Sequence, residues 1–186
     1  MIDLTSTPII ILAILGTVGV ALPVINIALK EKGSVISYGY VTLIALFASI
    51  GYVLYQLALD HVAPAALFSQ DVLVDDAFGA LFAIAMLIVA IFTTVGSFNY
   101  MKNKDNPSIY FSLILLSAIG MVLVAYSTDL VMLFIAWELM SIPTYILVGF
   151  LKKDPISNEA AIKYFLFGAL ASAIIIYGIS LAYGIT

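Results

Sequence analysis

Cysteine is absent from this sequence, arginine is absent too, and histidine occurs once, at His61. Without cysteine the chain forms no disulfide, no thiolate metal site and no iron–sulfur ligation of its own. A lone histidine argues against haem ligation within the chain. Charge is scarce: 10% of residues carry one, and the net charge is −4. Seven lysines are the whole basic complement, so there is no basic patch for nucleic acid. The N-terminal MIDLTSTP holds an acid and neither Lys nor Arg, and the apolar run after it is too long for a cleaved signal. Internal repeats and low-complexity segments are lacking as well.

What fills the space is apolar: 64% of the 186 residues, with a mean hydropathy of +1.19. A soluble domain of this size cannot hide so much apolar surface, so the fold class is an all-α, polytopic integral membrane protein in a lipid bilayer. Six spans are expected: Pro8–Leu29, Tyr38–Leu59, Ala77–Phe98, Ser108–Ser127, Asp129–Leu151 and Asn158–Gly184. Pro8 suits a helix start. Lys30 and Lys32 follow the first span, Lys102 and Lys104 the third, Lys152 and Lys153 the fifth. The positive-inside rule then puts the loops after spans one, three and five in the cytoplasm and the N-terminus outside. The loop with Asp60, His61, Asp71, Asp75 and Asp76 falls outside. Within it, Phe68 to Val74 reads as a short strand and Asp75 and Asp76 as caps of the third helix. Asp129, in the brief turn between spans four and five, reads as an N-cap. Tyr38, Tyr100 and Tyr183 read as interfacial aromatics. Gly168 and Ser172, four residues apart, mark a face where another helix comes close.

Glu138 stands in the middle of the fifth span. A charge at that depth costs about 2.5–3.5 kcal/mol on insertion scales, so it needs a reason. One reason is structural, a buried pair that fixes packing; the other is an ion or proton path. Burial favours the neutral carboxyl and a nearby ammonium favours the charged form, a balance that suits loading and release of a proton. Pro143, five residues on, removes a backbone donor, frees the Leu139 carbonyl and predicts a helix kink. Free backbone at membrane depth needs protein or water to satisfy it.

Lys163 is the other charge inside a span. It can snorkel to the interface or pair with Glu159 one turn earlier. Measured from the expected helix ends, Glu138 lies roughly 20 Å deep and Lys163 roughly 8 Å. A gap of about 12 Å excludes a simple salt bridge and predicts coupling through water or a third residue. The Pro143 kink is the expected place for that water. Thr93, Thr94 and Ser141 either line it or bond their own i−4 carbonyls.

Three segments resemble a known family: Ser127-Thr128-Asp129-Leu130, Trp137 to Pro143 (WELMSIP), and Glu159 to Leu170 (EAAIKYFLFGAL). They are similar to the antiporter-like proton-pumping subunits of complex I. The nearest likeness is the N-type subunit of NADH–quinone oxidoreductase, with the N subunit of archaeal F420H2 dehydrogenase beside it. The resemblance is strongest over residues 108–186 and looser over residues 68–98. It implies three N-terminal helices over residues 1–107, then the first three helices of the proton-translocating domain over residues 108–186. It implies proton translocation coupled to electron transfer, with Glu138 as the coupling carboxylate and Lys163 as a relay or tuning residue. It implies no redox site and no cofactor or metal on this chain, other membrane subunits as partners, and a quinone site on those subunits. Family members have about fourteen helices in two inverted repeats. The expectation is therefore a fragment or a split subunit that does not pump alone. The rival reading is a subunit of a multi-chain cation/proton antiporter, which shares the helix-five Glu. A helical scaffold without transport is the third.

Overall fold

Apolar residues run all the way round each long segment, and this forces every backbone donor and acceptor in lipid to be satisfied within a helix. The computed structural model describes residues 6–28, 34–59, 65–66 and 72–185. Six helices in it are long and apolar enough to cross a membrane. They are α1 (Thr7–Ala28), α2 (Val35–Ala58), α3 (Ala77–Met101), α4 (Pro107–Tyr126), α5 (Leu130–Val148) and α6 (Pro155–Gly184). A small antiparallel pair, β1 (Ala65–Ala66) and β2 (Val74–Asp75), precedes α3.

Local chemistry sets the helix starts. Ser34 caps α2 and Asp76 caps α3, the latter accepting from the Gly79 N–H at 2.7 Å. Asp129 caps α5 through the N–H groups of Val131 and Met132. Asp154 caps α6, with Pro155 in its first turn. Asn106, at φ 57°, turns the chain into α4 in the left-handed conformation that Asn tolerates.

The core is α4. It packs against α1, α2, α3 and α5, and α2 closes the space between α1 and α3. Ile114, Leu115, Ala118, Val122 and Tyr126 of α4 are buried. α6 packs chiefly on α5 and contributes no buried residue.

Two prolines interrupt spanning helices, and α4 hydroxyls donate to carbonyls near both. Pro23 in α1 leaves the Gly19 carbonyl without its helical donor. The buried Ser112 hydroxyl of α4 donates to that carbonyl. Pro143 frees the Leu139 carbonyl of α5, and the Ser117 hydroxyl donates to the next carbonyl, that of Met140, at 3.1 Å. Gly120 lies against the backbone of Leu139 and Met140, so α4 and α5 touch backbone to backbone beside the proline turn.

The two ends of the bundle differ. At one, the α3–α4 and α5–α6 turns come together around Lys104, Asp105, Lys152 and Lys153, with Tyr110 edge-on to Phe150. At the other, the chain before α3 is stitched to its neighbours. The Thr128 N–H donates to the Val72 carbonyl at 3.1 Å, and Leu73 bridges to Ser127.

Several expectations need correction. Of the expected strand Phe68–Val74, Leu73 is in a bridge and Val74 begins β2, which runs on to Asp75; residues 67–71 lie outside the described ones, as do Lys30, Lys32, Asp60 and His61. Asp76 alone caps α3, while Asp75 turns inward and accepts the Thr7 N–H at 2.7 Å. It thereby satisfies a donor at the start of α1, a long-range contact that no local signal announces. Tyr38 is buried, with its hydroxyl donating to the Asn26 side chain of α1 at 2.5 Å, a packing role that the sequence reading did not include. α5 stops at Val148, three residues early, because Gly149 ends it. α6 starts at Pro155 rather than Asn158 because Asp154 and Pro155 are themselves a start signal.

Candidate functional site

The charged positions depend on how α5 and α6 lie against each other. Gly149 faces Ala161, Tyr145 faces Gly168, Glu138 faces Ser172 and Asp129 faces Tyr183. The two helices therefore run antiparallel in one continuous register. At one end of that register the Tyr183 hydroxyl donates to the Asp129 carboxylate. That bond, then the Met132 and Val131 N–H groups, hold the Asp129 carboxyl below the usual carboxylate range.

Glu138 is half-buried, and its carboxylate accepts a hydrogen bond from the Ser172 hydroxyl. A charged acceptor with a neutral donor is stronger than a neutral pair, which is how α6 holds the α5 carboxylate in one place. Ser172 escaped the sequence reading as a polar partner. Its spacing from Gly168 was legible as a packing face, but the carboxylate opposite it was not.

Lys163 is elsewhere. Its ammonium pairs with Glu159, the only ion pair among the described residues. Both side chains are about two-thirds exposed, at 65% and 67%, so the pair contributes little. The register sets Lys163 level with Leu147, nine residues along α5 from Glu138. At 1.5 Å per residue that is about 13 Å, beyond direct contact. Lys163 is also nine residues from Ser172, half a turn out of phase, so its side chain is on the face of α6 turned away from α5.

Between those two levels lies a cavity of about 500 Å³, bounded by α3, α4, α5 and α6. Thr93, Ser117, Ser141, Thr144, Tyr145 and Gly168 contribute to its lining. Its volume far exceeds the roughly 10–15 Å³ that one water needs. Thr93 and Ser141 donate to their i−4 carbonyls at 2.9 and 2.8 Å, which leaves their oxygen lone pairs free to accept. Thr94 makes the same kind of bond at 2.8 Å but is not among the lining residues. Pro143 is buried at this level of α5.

Residues 127–186 match the family described as NADH:quinone oxidoreductase/Mrp antiporter, TM. The chain is 37% identical over 181 residues to NADH-quinone oxidoreductase subunit N 1 of Solibacter usitatus, covering 96% of this chain and 35% of that one. It is 37% identical over 120 residues to F(420)H(2) dehydrogenase subunit N of Methanosarcina mazei, covering 64% and 24%. Among solved structures, respiratory complex I from Thermus thermophilus superposes with a TM-score of 0.75 at 28% identity, over 95% of this chain and 37% of that one. An archaeal membrane-bound sulfane sulfur reductase shares the fold, with a TM-score of 0.74 at 21% identity. The chain thus spans about a third of the length of the curated relatives it matches. The resemblance to N-type antiporter-like subunits extends over nearly the whole chain, including the first two helices, where the residues alone read only as hydrophobic spans.

Proposed function

We propose that this chain is the N-terminal, six-helix part of an N-type antiporter-like subunit, and that it carries protons across the membrane within a complex I-like oxidoreductase. The observation that carries the reading is the Glu138 carboxylate, half-buried in the middle of an apolar helix and held by the Ser172 hydroxyl, with its neighbour Trp137 lining the cavity between α3, α4, α5 and α6. In this reading Glu138 is the coupling carboxylate, and Lys163 a proton-relay or tuning residue. Pro143 gives that turn of α5 its freedom to rearrange. Electron transfer and quinone binding belong to other subunits, and this chain holds no redox cofactor and no metal. Lys102, Lys104, Lys152 and Lys153 mark the cytoplasmic end, which leaves the β1–β2 end outside a cell or inner membrane. The similarity to N subunits over nearly the full chain supports this assignment.

The test is Glu138→Gln in the assembled membrane complex. The amide keeps the shape and the Ser172 bond but cannot take up a proton. Proton transfer per electron falls while assembly holds; pumping at the wild-type ratio would falsify the role of Glu138. The family description also names antiporters, which favours a second reading as a subunit of a cation/proton antiporter. Sodium efflux from vesicles with no electron donor distinguishes it.

A further inference from the structure

The lysine-bearing end of the bundle holds a cavity of its own, about 550 Å³ in volume, where the α3–α4 and α5–α6 turns meet. Its lining has a polar part and an apolar part. Lys104, Lys152 and Lys153 belong to the polar part. None of them is in an ion pair, since the only pair among the described residues is Lys163 with Glu159. Lys104 is held over the Tyr100 ring, 3.0 Å from its centroid, a contact that places the ammonium without neutralising it. Two carboxylates, Asp105 and Asp154, share the lining, so the cations outnumber the acids three to two. Asp154 is also committed to the Ile156 N–H as the cap of α6. α4 begins at this cavity, at Asn106, with no side chain capping its first N–H groups, and the positive end of a helix favours an anion.

The apolar part is formed by Ile109, Ile146 and Phe150 among others. Ile109 is in the first turn of α4 and Ile146 in the last turn of α5. They are 43% and 50% exposed, so this wall continues onto the outer surface of the spanning helices. The apolar wall thus begins where the helices enter hydrocarbon, and the lysines, in the turns, stand at headgroup level. A free phosphate would use the lysines and leave the wall bare. A neutral lipid would use the wall and leave the ammonium groups without a counter-charge.

We propose that this cavity seats an anionic phospholipid of the adjoining leaflet, its phosphate on Lys104, Lys152 and Lys153 and one acyl chain along Ile109 and Ile146. Basic pockets between spanning helices hold such headgroups by the same combination of charge and depth. The lipid bridges the α3–α4 turn to the α5–α6 turn. The inference does not depend on the proton-carrying reading of Glu138.

The probe is phosphatidylglycerol with a photoactivatable diazirine in one acyl chain, added to the assembled, detergent-purified complex, with labelled residues read by mass spectrometry. Label is expected at Ile109 and over residues 146–151. Phosphatidylcholine with the same chain is expected to label there about tenfold less, and excess inorganic phosphate is expected not to compete. Lys152→Gln with Lys153→Gln cuts the phosphatidylglycerol label about tenfold or more, and Lys152→Arg with Lys153→Arg keeps it. Both lysines are exposed in a turn, so neither holds the fold together. Equal labelling by the two lipids, or undiminished labelling in the Gln pair, overturns the proposal in favour of unselective lipid contact. Competition by phosphate overturns it in favour of a free-anion site. An unlabelled groove in the wild-type complex overturns it as well, since another part of the assembly then fills the space.

Discussion

Gly120→Ala tests whether the site depends on α4 and α5 meeting backbone to backbone. The substitution adds one methyl group. Built on Gly120, that carbon lies 2.6 Å from Met140 Cα and 2.8 Å from the Leu139 carbonyl carbon, against 3.4 Å or more for ordinary contact. The obstacle is backbone, which cannot swing aside as a long side chain does. The Met140 amide nitrogen is closer still, so the helices must part by more than the roughly 0.8 Å that separates 2.6 from 3.4 Å. Overpacking of this kind costs about 1–3 kcal/mol. Against it stands the preference of a helix interior for Ala over Gly, about 1 kcal/mol. The clash wins or nearly balances, and separation also weakens the Ser117 bond to Met140, a class averaging about 0.6 kcal/mol in membranes. A net loss of about 1–2 kcal/mol follows from these terms. Function suffers more than stability, because Glu138 lies two residues from the point of contact and displacements near 1 Å cost on the order of a hundredfold in positioned chemistry. The assay is the thermal midpoint of the detergent-purified complex, read beside coupled turnover. A variant as stable as the parent with unchanged turnover would show that the contact is loose, and the account of the α4–α5 seam would be wrong.

Two further outcomes follow from the β1–β2 end of the bundle. Asp75→Ala removes the acceptor of the Thr7 N–H at a buried site and lowers stability by about 1–3 kcal/mol; Asp75→Asn, which keeps an oxygen there, costs less, and the ordering of the two thermal midpoints checks the assignment. Asp129 has its carboxyl lowered in the folded state, mainly by the Tyr183 hydroxyl. Its stabilising contribution is therefore complete above the unfolded value of about 3.9 and fades as pH falls through the lower folded value. Hydrogen exchange at the Val131 and Met132 amides is expected to stay constant from neutral pH down to about 4, apart from intrinsic rates, and to quicken below. Quickening between pH 7 and 5 would contradict that sign.

How much of this was legible depended on whether the signal was local. Span lengths, the Asp76 and Asp129 caps and the isolation of Glu138 in an apolar run are properties of neighbouring residues, and each could be read from them. The separation of Lys163 from Glu138 was also readable, because rise per residue converts sequence distance to depth. What escaped needs the register between helices. Ser112, Ser117 and Ser172 look alike in sequence, each a small polar residue in an apolar run. Only packing shows that the first two serve carbonyls beside prolines and the third a carboxylate. Asp75 and Asp76 are adjacent and chemically identical, and β2 turns them to different helices. The Pro23 interruption of α1 was overlooked for the same reason that its repair was invisible: the donor lies on another helix.

The α5–α6 pairing bears on how the chain enters the bilayer. Emerging alone, α5 presents a carboxylate at its centre, a cost of about 2.5–3.5 kcal/mol. Ten residues of Leu, Ile, Phe and Val in α5, at about 0.3–0.6 kcal/mol each, offset it with little to spare. The hydroxyl that shelters the carboxylate is made 34 residues later. Insertion of α5 and α6 as one hairpin would present that hydroxyl to the acid at once. Since α6 is apolar round its circumference, it enters readily and brings the missing polar partner with it. Biogenesis of this segment thus gains from a delay: a translocation machinery that retains α5 until α6 has followed releases a pair whose acid already has its hydrogen-bond donor, where release of α5 alone would leave that acid bare.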